Sequence, residues 1–317
     1  MSNNLVDDIR NDSRFSSYLG KVFFFLFLLL LLDFATSLFL EKGIDRFYGL
    51  GSKSDVLLVG HSHLMLAVDK GLFEDRTGMR MAKYTREGVN VADRYLMLGQ
   101  YFREKMPNCR LIVYGIDPWL FTGKGLSANS YKLFYPFMDD RDVDAYIRLH
   151  AANRFDYFSH RFFRSYRFNT TLINAALRGY LGSWSNLKIG RLDTLQLRKD
   201  IEAGNYRQVS FDRDNIEIFK KTLPFLSTHA ERVILLNTPI SGMLVGAVRR
   251  DYDRAMALMR DMAAPYPNIH VVDLSSTFES DPQLFYDPIH MNPDGQKRVT
   301  TVFSALADSI LAISFNR

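Results

Sequence analysis

Residues 55–63 read DVLLVGHSH: four large aliphatic residues closed by Gly60, then Ser62 between two histidines. An unbroken apolar run of this length predicts a strand covered on both faces, as in parallel sheets. The polar cluster behind it stands where an open parallel sheet delivers side chains to its ligand crevice. Four further runs extend the pattern outward, at 80–84 (RMAKY), 110–115 (RLIVYG), 232–237 (RVILLN) and 268–273 (NIHVVD). Between them lie helical patterns: VDKGLFEDRTG ending at Gly78, VADRYLMLGQYFREKM, and apolar residues at helical spacing over 248–262. Strands alternating with helices predict an α/β fold, a three-layer α/β/α sandwich on a five-stranded parallel sheet.

Composition narrows the class. The 317 residues carry 40 Lys+Arg against 35 Asp+Glu, a net charge of +5, 47% hydrophobic and 14% aromatic residues. This excludes a disordered chain, and the charge is too mild to argue for nucleic acid. Cys109 is the one cysteine, so a disulfide framework and a cysteine zinc site are excluded.

Residues 22–40, VFFFLFLLLLLDFATSLFL, are apolar except for Asp33, Thr36 and Ser37. A helix of this length covers about 28 Å, close to the bilayer hydrocarbon thickness. We expect one uncleaved transmembrane helix at 22–40, after a polar tail (1–21) and before a linker (41–53). A cleaved signal is disfavoured by the long apolar run, the polar tail of some twenty residues (~20) and the lack of a small-x-small site. Charge bias leaves orientation open: Arg10, Arg14 and Lys21 precede the span and Lys42, Arg46 and Lys53 follow it. Asp33 has two readings, a docking point for another membrane protein or a residue near the outer interface beside Thr36 and Ser37.

The soluble domain is expected over 54–317. At about 118–229 its pattern breaks into a stretch dense in Tyr, Phe and Arg, such as YKLFYPFMDD and NRFDYFSHRFFRSYRF. It is too long for a loop and reads as a mostly helical insertion. Its aromatic and basic residues suit sugar rings, the membrane surface, or packing onto the core.

Two motifs carry chemistry. In GHSH (60–63), Ser62 follows an apolar strand and precedes a helix, which places a nucleophile in the crevice with amides nearby for an oxyanion; a serine there also serves as a helix cap. In YDPIHMNPDG (286–295), Asp287 and His290 are three residues apart, a spacing that lets a carboxylate orient an imidazole; the same residues also suit a surface turn. His61, His63 and Asp117 make a poor metal set, since neighbours at an extended strand end point to opposite sides and no second ligand pair supports them. No metal and no cofactor are expected. His63 contacts substrate or caps the helix in this reading, and His150, His160, His229 and His270 have no local support for a role.

Together, GHSH and DPIH resemble the blocks of the SGNH (GDSL-like) hydrolase superfamily, matched at Ser62, Asp287 and His290 over roughly 54–317. The resemblance implies a sheet in flavodoxin-like order and a Ser62–His290–Asp287 triad, with Ser62 as nucleophile. His61 stands where many members carry Asp. The family's third block supplies a Gly-x-Asn-Asp asparagine to the oxyanion, whereas here it reads Gly115-Ile116-Asp117-Pro118, and an ionised carboxylate cannot donate. The oxyanion hole is then expected from the Ser62 and Gly88 amides and the Asn90 side chain, with His63 and Asp117 touching substrate.

One span followed by such a domain is similar to the members that work beside membrane-bound O-acyltransferases in teichoic-acid D-alanylation and in alginate or cellulose O-acetylation. That implies a single-pass protein of the cell (inner) membrane with its catalytic domain on the extracytoplasmic, periplasmic side, a multi-span O-acyltransferase partner and a polysaccharide acceptor. The expected activity is serine-dependent O-acylation of an exported polysaccharide. The alternatives are a carbohydrate esterase with the same triad and a non-catalytic glycan- or partner-binding scaffold.

Overall fold

The computed structural model describes residues 2–103, 108–123 and 129–312. One helix of 47 residues, α1 (Ser2–Tyr48), carries the apolar run and continues past it. The segment expected as a linker is therefore helical as far as Tyr48. Burial explains the continuation: Leu40, Ile44, Phe47 and Tyr48 recur at helical spacing and join the core, while the side chains from Val22 to Leu32 are exposed.

The fold proper runs β1 (Val56–Gly60), α2 (Ser62–Ala67), α3 (Lys70–Thr77), β2 (Met81–Thr85), α4 (Val91–Arg103) and β3 (Cys109–Ile116). After an excursion come α9 (Arg213–His229), β4 (Ala230–Asn237), α10 (Gly242–Ala247), α11 (Arg249–Ala263) and β5 (Ile269–Asp273). The chain closes with α12 (Ser275–Phe278), the short strands β6 (Phe285–Asp287) and β7 (His290–Met291), and α13 (Pro293–Ala312). The five long strands are parallel in the order β2-β1-β3-β4-β5, the flavodoxin-like order expected.

Every β1 residue is buried because both faces are covered. Leu57 and Val59 join the cluster under α4, α9 and α11, while Val56 and Leu58 join the cluster under α2, α3 and α13. The period of two puts alternate side chains on opposite faces, so a strand coated twice reads as a continuous apolar run.

The excursion between β3 and β4 holds α5 (Arg141–His150), α6 (Arg154–Phe162), α7 (Thr170–Leu181) and α8 (Thr194–Glu202), with 3-10 turns at Ser130–Phe137 and Arg164–Arg167. It is mostly helical, but its last helix differs from the rest. α9 buries Phe219, Leu223 and Leu226 beneath the sheet, so it is the crossover to β4 and the inserted part stops before it. α7 packs on α1 at a crossing made of small residues. A Cβ on Gly179 would collide with the Gly43 carbonyl oxygen, and one on Gly43 would lie 2.5 Å from that of Ala176.

Asp33 finds its polar partner within the chain. Its carboxylate accepts the backbone N–H groups of Arg164 at 2.9 Å and Ser165 at 2.8 Å, which ties the insertion to α1.

Candidate active site

Ser62 is the first residue of α2, directly behind the strand that ends at Gly60. His61 makes that turn. Its Nδ1 accepts the His63 N–H at 3.2 Å and so caps the helix, while its Nε2–H donates to Asp117 Oδ2 at 2.7 Å. From the other end of the chain, the β6–β7 turn brings Asp287 and His290 to the same place. Asp287 Oδ1 accepts the Ile289 and His290 N–H groups at 3.0 Å each, and Oδ2 accepts from His290 Nδ1 at 2.7 Å. His290 Nε2 is 2.8 Å from Ser62 Oγ, so the three residues form one hydrogen-bonded chain. With Nδ1–H given to the carboxylate, Nε2 presents its lone pair to the serine hydroxyl, the arrangement a general base requires.

Burial pushes the Asp287 carboxyl up. The hydrogen bond and charge of His290, the Ile289 amide and the charge of Lys188 outweigh it and hold the carboxyl below its ordinary range. Asp287 is thus the anion that an imidazolium on His290 needs beside it.

Asp117 does not occupy the substrate-contacting position expected of it. It is 1% exposed; Oδ2 takes the His61 proton, Oδ1 accepts the Trp119 N–H at 2.8 Å, and Arg94 Nη2 lies 3.9 Å away. Burial alone would raise its carboxyl, but His61, His63 and Arg94 drive it far below the ordinary range. Asp117 supports His61, and His61 supports the turn that presents Ser62. His63 is also buried, with its ring centroid 4.1 Å from that of His61 and 5.3 Å from that of His290. Burial above all, with His61 beside it, holds His63 neutral.

The two histidines were expected to diverge. They converge because the chain leaves the extended state at Ser62, and His61, His63 and Asp117 bring ligand-type atoms within 4.8 Å of one another. The donor set does not suit a cation: both ring nitrogens of His61 are engaged, and the Arg94 guanidinium already stands by the carboxylate.

The expected oxyanion donors Gly88 and Asn90 belong to the turn after β2, which begins beside the strand that leads to the nucleophile. Thr85 is level with Gly60 across the β1–β2 pair, and the Arg86 N–H donates to the Gly60 carbonyl at 3.1 Å. The turn carrying Gly88, at φ 73°, therefore starts beside the end of β1. Asn90 Oδ1 accepts the Asp93 N–H at 2.9 Å as a cap on α4, so the side-chain NH₂ is what Asn90 has left to offer.

Sequence reading missed the insertion's share of the site. Its extended stretch at 184–192 lies along the Asp287–His290 segment: the Leu192 N–H donates to Phe285 O at 2.9 Å, and Gly190 O and Asn186 O accept from Asn292 Nδ2 at 3.3 Å and Gln296 Nε2 at 2.9 Å. This places Lys188 Nζ 5.6 Å from the centre of the Tyr286 ring and close enough to Asp287 to act on its charge. Trp119, next to His63, is likewise a site neighbour. No local signal marks Lys188, because its position depends on contacts more than ninety residues away along the chain (about 100).

No family model matches the chain, and no curated protein matches it. Among solved structures it is similar to LAE5, an alpha/beta hydrolase from the metagenome of Lake Arreo, Spain, at 15% identity over 84% of this chain and 100% of that one, with a TM-score of 0.42. Axe2, an acetylxylan esterase from Geobacillus stearothermophilus, aligns at 13% identity over 84% of this chain and 98% of that one, with a TM-score of 0.40. The lipase Lip_vut3 from a goat rumen metagenome aligns at 12% identity over 79% and 95%, with a TM-score of 0.36.

Proposed function

We propose that the chain is a membrane-anchored serine acyl-transfer enzyme that moves an acyl group, most simply acetyl, onto hydroxyls of an exported or cell-envelope polysaccharide. The observation that carries the reading is the unbroken chain from Ser62 Oγ through His290 to Asp287. Ser62 Oγ attacks the carbonyl carbon of an ester donor while His290 Nε2 takes its proton. The charged imidazole is held by Asp287, and the carbonyl oxygen becomes an oxyanion, for which this reading assigns the amides of Ser62 and Gly88 and the Asn90 NH₂ as donors. On collapse, the leaving alkoxide takes the proton from His290 and leaves an acyl-serine. A sugar hydroxyl then gives its proton to His290, attacks the acyl-serine, and departs as the new ester while Ser62 regains its hydrogen. With water as the second nucleophile, the same steps make an esterase.

The anchor reading is supported by α1. Removing it as a signal would strip Leu40, Ile44, Phe47 and Tyr48 from the core and leave the Arg164 and Ser165 amides without their acceptor. A multi-span O-acyltransferase that hands the acyl group across the membrane fits a protein with one span, and the extracytoplasmic side follows with it.

The test uses the full-length protein in detergent or nanodiscs. A fluorophosphonate probe is expected to label Ser62, to fail on Ser62→Ala and to label His290→Ala far more slowly. A folded protein that never labels would overturn the serine mechanism. Supplying a sugar hydroxyl alongside water to the acyl-enzyme separates the two second steps: acylated sugar as the main product supports transfer, and free acid alone supports hydrolysis.

A further inference from the structure

The helix α6 fully buries none of its residues: one side is half-buried through Tyr157 and His160, and the other is open. Phe155 and Phe162 are 82% and 72% exposed, and Phe158, Phe163 and Tyr166 are exposed as well. These five aromatics and Leu30 of α1 line one open groove of about 680 Å³. Three charges of the segment are paired: Arg161, Arg164 and Arg167 meet Asp139 at 3.2, 2.7 and 3.2 Å, and the Arg164 guanidinium also lies 4.8 Å from the centre of the Phe34 ring of α1. An exposed apolar surface of this kind marks an interaction site.

Depth along α1 identifies the occupant. The apolar run starts at Val22, directly after Lys21, and a span of some twenty residues (~20) from there reaches the end of that run. Leu30 lies in the middle of this stretch, and Asp33, which binds the insertion, is seven residues short of Leu40, or about 10 Å. Sliding the bilayer toward the N-terminus to clear the insertion would draw Lys21 and Arg14 into hydrocarbon. The groove therefore continues the lipid-facing surface of α1 at bilayer depth.

We propose that lipid fills this groove: α6 and the turn behind it dip into one leaflet beside α1 as a second membrane contact. Aromatic side chains are suited to the edge of that leaflet. The Asp33 carboxylate is tolerated at that depth because it accepts two backbone N–H groups, and those amides are in turn satisfied. The result is a catalytic domain held at two points and unable to swing freely on a single helix. This rests on the reading of α1 as a span, so the test reports on both.

The full-length chain suits site-directed spin labelling, since its one cysteine, Cys109, is buried with its thiol pushed up to about 11 by burial. Nitroxides at Phe155→Cys, Phe162→Cys, Leu26→Cys and Leu195→Cys are compared in nanodiscs of pure phosphatidylcholine for access to oxygen and to a water-soluble nickel chelate. Leu195, 71% exposed on α8, is the aqueous control. The expected result is an oxygen-to-nickel ratio at positions 155, 162 and 26 several times that at 195. Lipid contact at 26 with water contact at 155 and 162 overturns the second contact and spares the span. Water contact at 26 overturns both. Labels at 155 and 162 that are wet in pure lipid but shielded from both reagents in native membranes would assign the groove to a protein, against the proposal.

Discussion

His61 Nε2 and Asp117 Oδ2 lie 2.7 Å apart, both buried, one residue before the nucleophile and one residue past β3. This pair shares the carboxyl edge of the sheet with the triad without belonging to it, and it fixes the His61 ring that caps α2. Asp117→Ala leaves Arg94 as a buried, uncompensated cation, which typically costs about 3–5 kcal/mol. Thermal unfolding of the full-length protein is expected to shift down by several degrees, with a smaller shift for Asp117→Asn, which keeps one acceptor oxygen. Unchanged melting of Asp117→Ala would sink this account.

Asp287 holds the tautomer of His290. Asp287→Asn replaces the acceptor of Nδ1–H with a group able to donate, so the imidazole turns its proton toward Ser62, and ester turnover is expected to fall about ten-thousandfold. Melting should hardly move, because Oδ1 still accepts the Ile289 and His290 amides. Turnover of Asp287→Asn close to the parent rate would remove Asp287 from the mechanism.

Lys83 links stability to pH. Its ammonium is buried beneath α2, where it donates to the carbonyls of Met65 at 2.8 Å and Val68 at 2.6 Å, and burial pushes it down to about 7 despite the opposing pull of Asp69. In the unfolded chain a lysine titrates near 10.4, so between about 7 and 10 the unfolded state binds more protons and stability rises with pH. Below that window both states are protonated and the cost of burying the charge is constant. Denaturant unfolding at pH 7 and pH 9 should show the gain in the parent and a clearly smaller one in Lys83→Met. Equal pH dependence in the two proteins would refute the assignment.

The α1–α7 crossing tolerates no side chain at Gly179. Gly179→Ala places a methyl on the Gly43 carbonyl and must part the helices, at a typical overpacking cost of about 1–3 kcal/mol. Gly99→Ala, in a helix with nothing within 4 Å of the new methyl, is the matched control and should be neutral or slightly stabilising. Equal melting of the two variants would show that α7 does not seat on α1 this closely. By the same logic, deletion of residues 1–53 is expected to yield an insoluble domain, because it removes Ile44, Phe47 and Tyr48 from the core.

Most of the architecture was readable from local pattern. The five strands stand where their apolar runs stand, shifted by a residue or two, because strands coated on both faces cannot hide their composition. Ser62, Asp287 and His290 were readable for a different reason: each sits at a strand-end turn whose residues also set the backbone. The continuation of α1 to Tyr48 is not legible in the sequence, because helical spacing across 40–48 is short and mixed with charge. Nor is the end of the insertion, because nothing local separates the crossover helix α9 from the helices before it.

What the sequence by itself determined is the set of elements, the sheet they build, the apolar helix and the identity of three residues able to form a triad. Only the tertiary structure decided that Asp33 meets the insertion, that Asp117 serves His61 instead of a ligand, that His61 and His63 converge, and that Lys188 stands by Asp287. Elements follow from short-range periodicity, which any stretch of chain displays on its own. Partners separated by 50 to 130 residues (roughly) are chosen by packing, and a carboxylate or an amide carries no mark of which distant group will meet it.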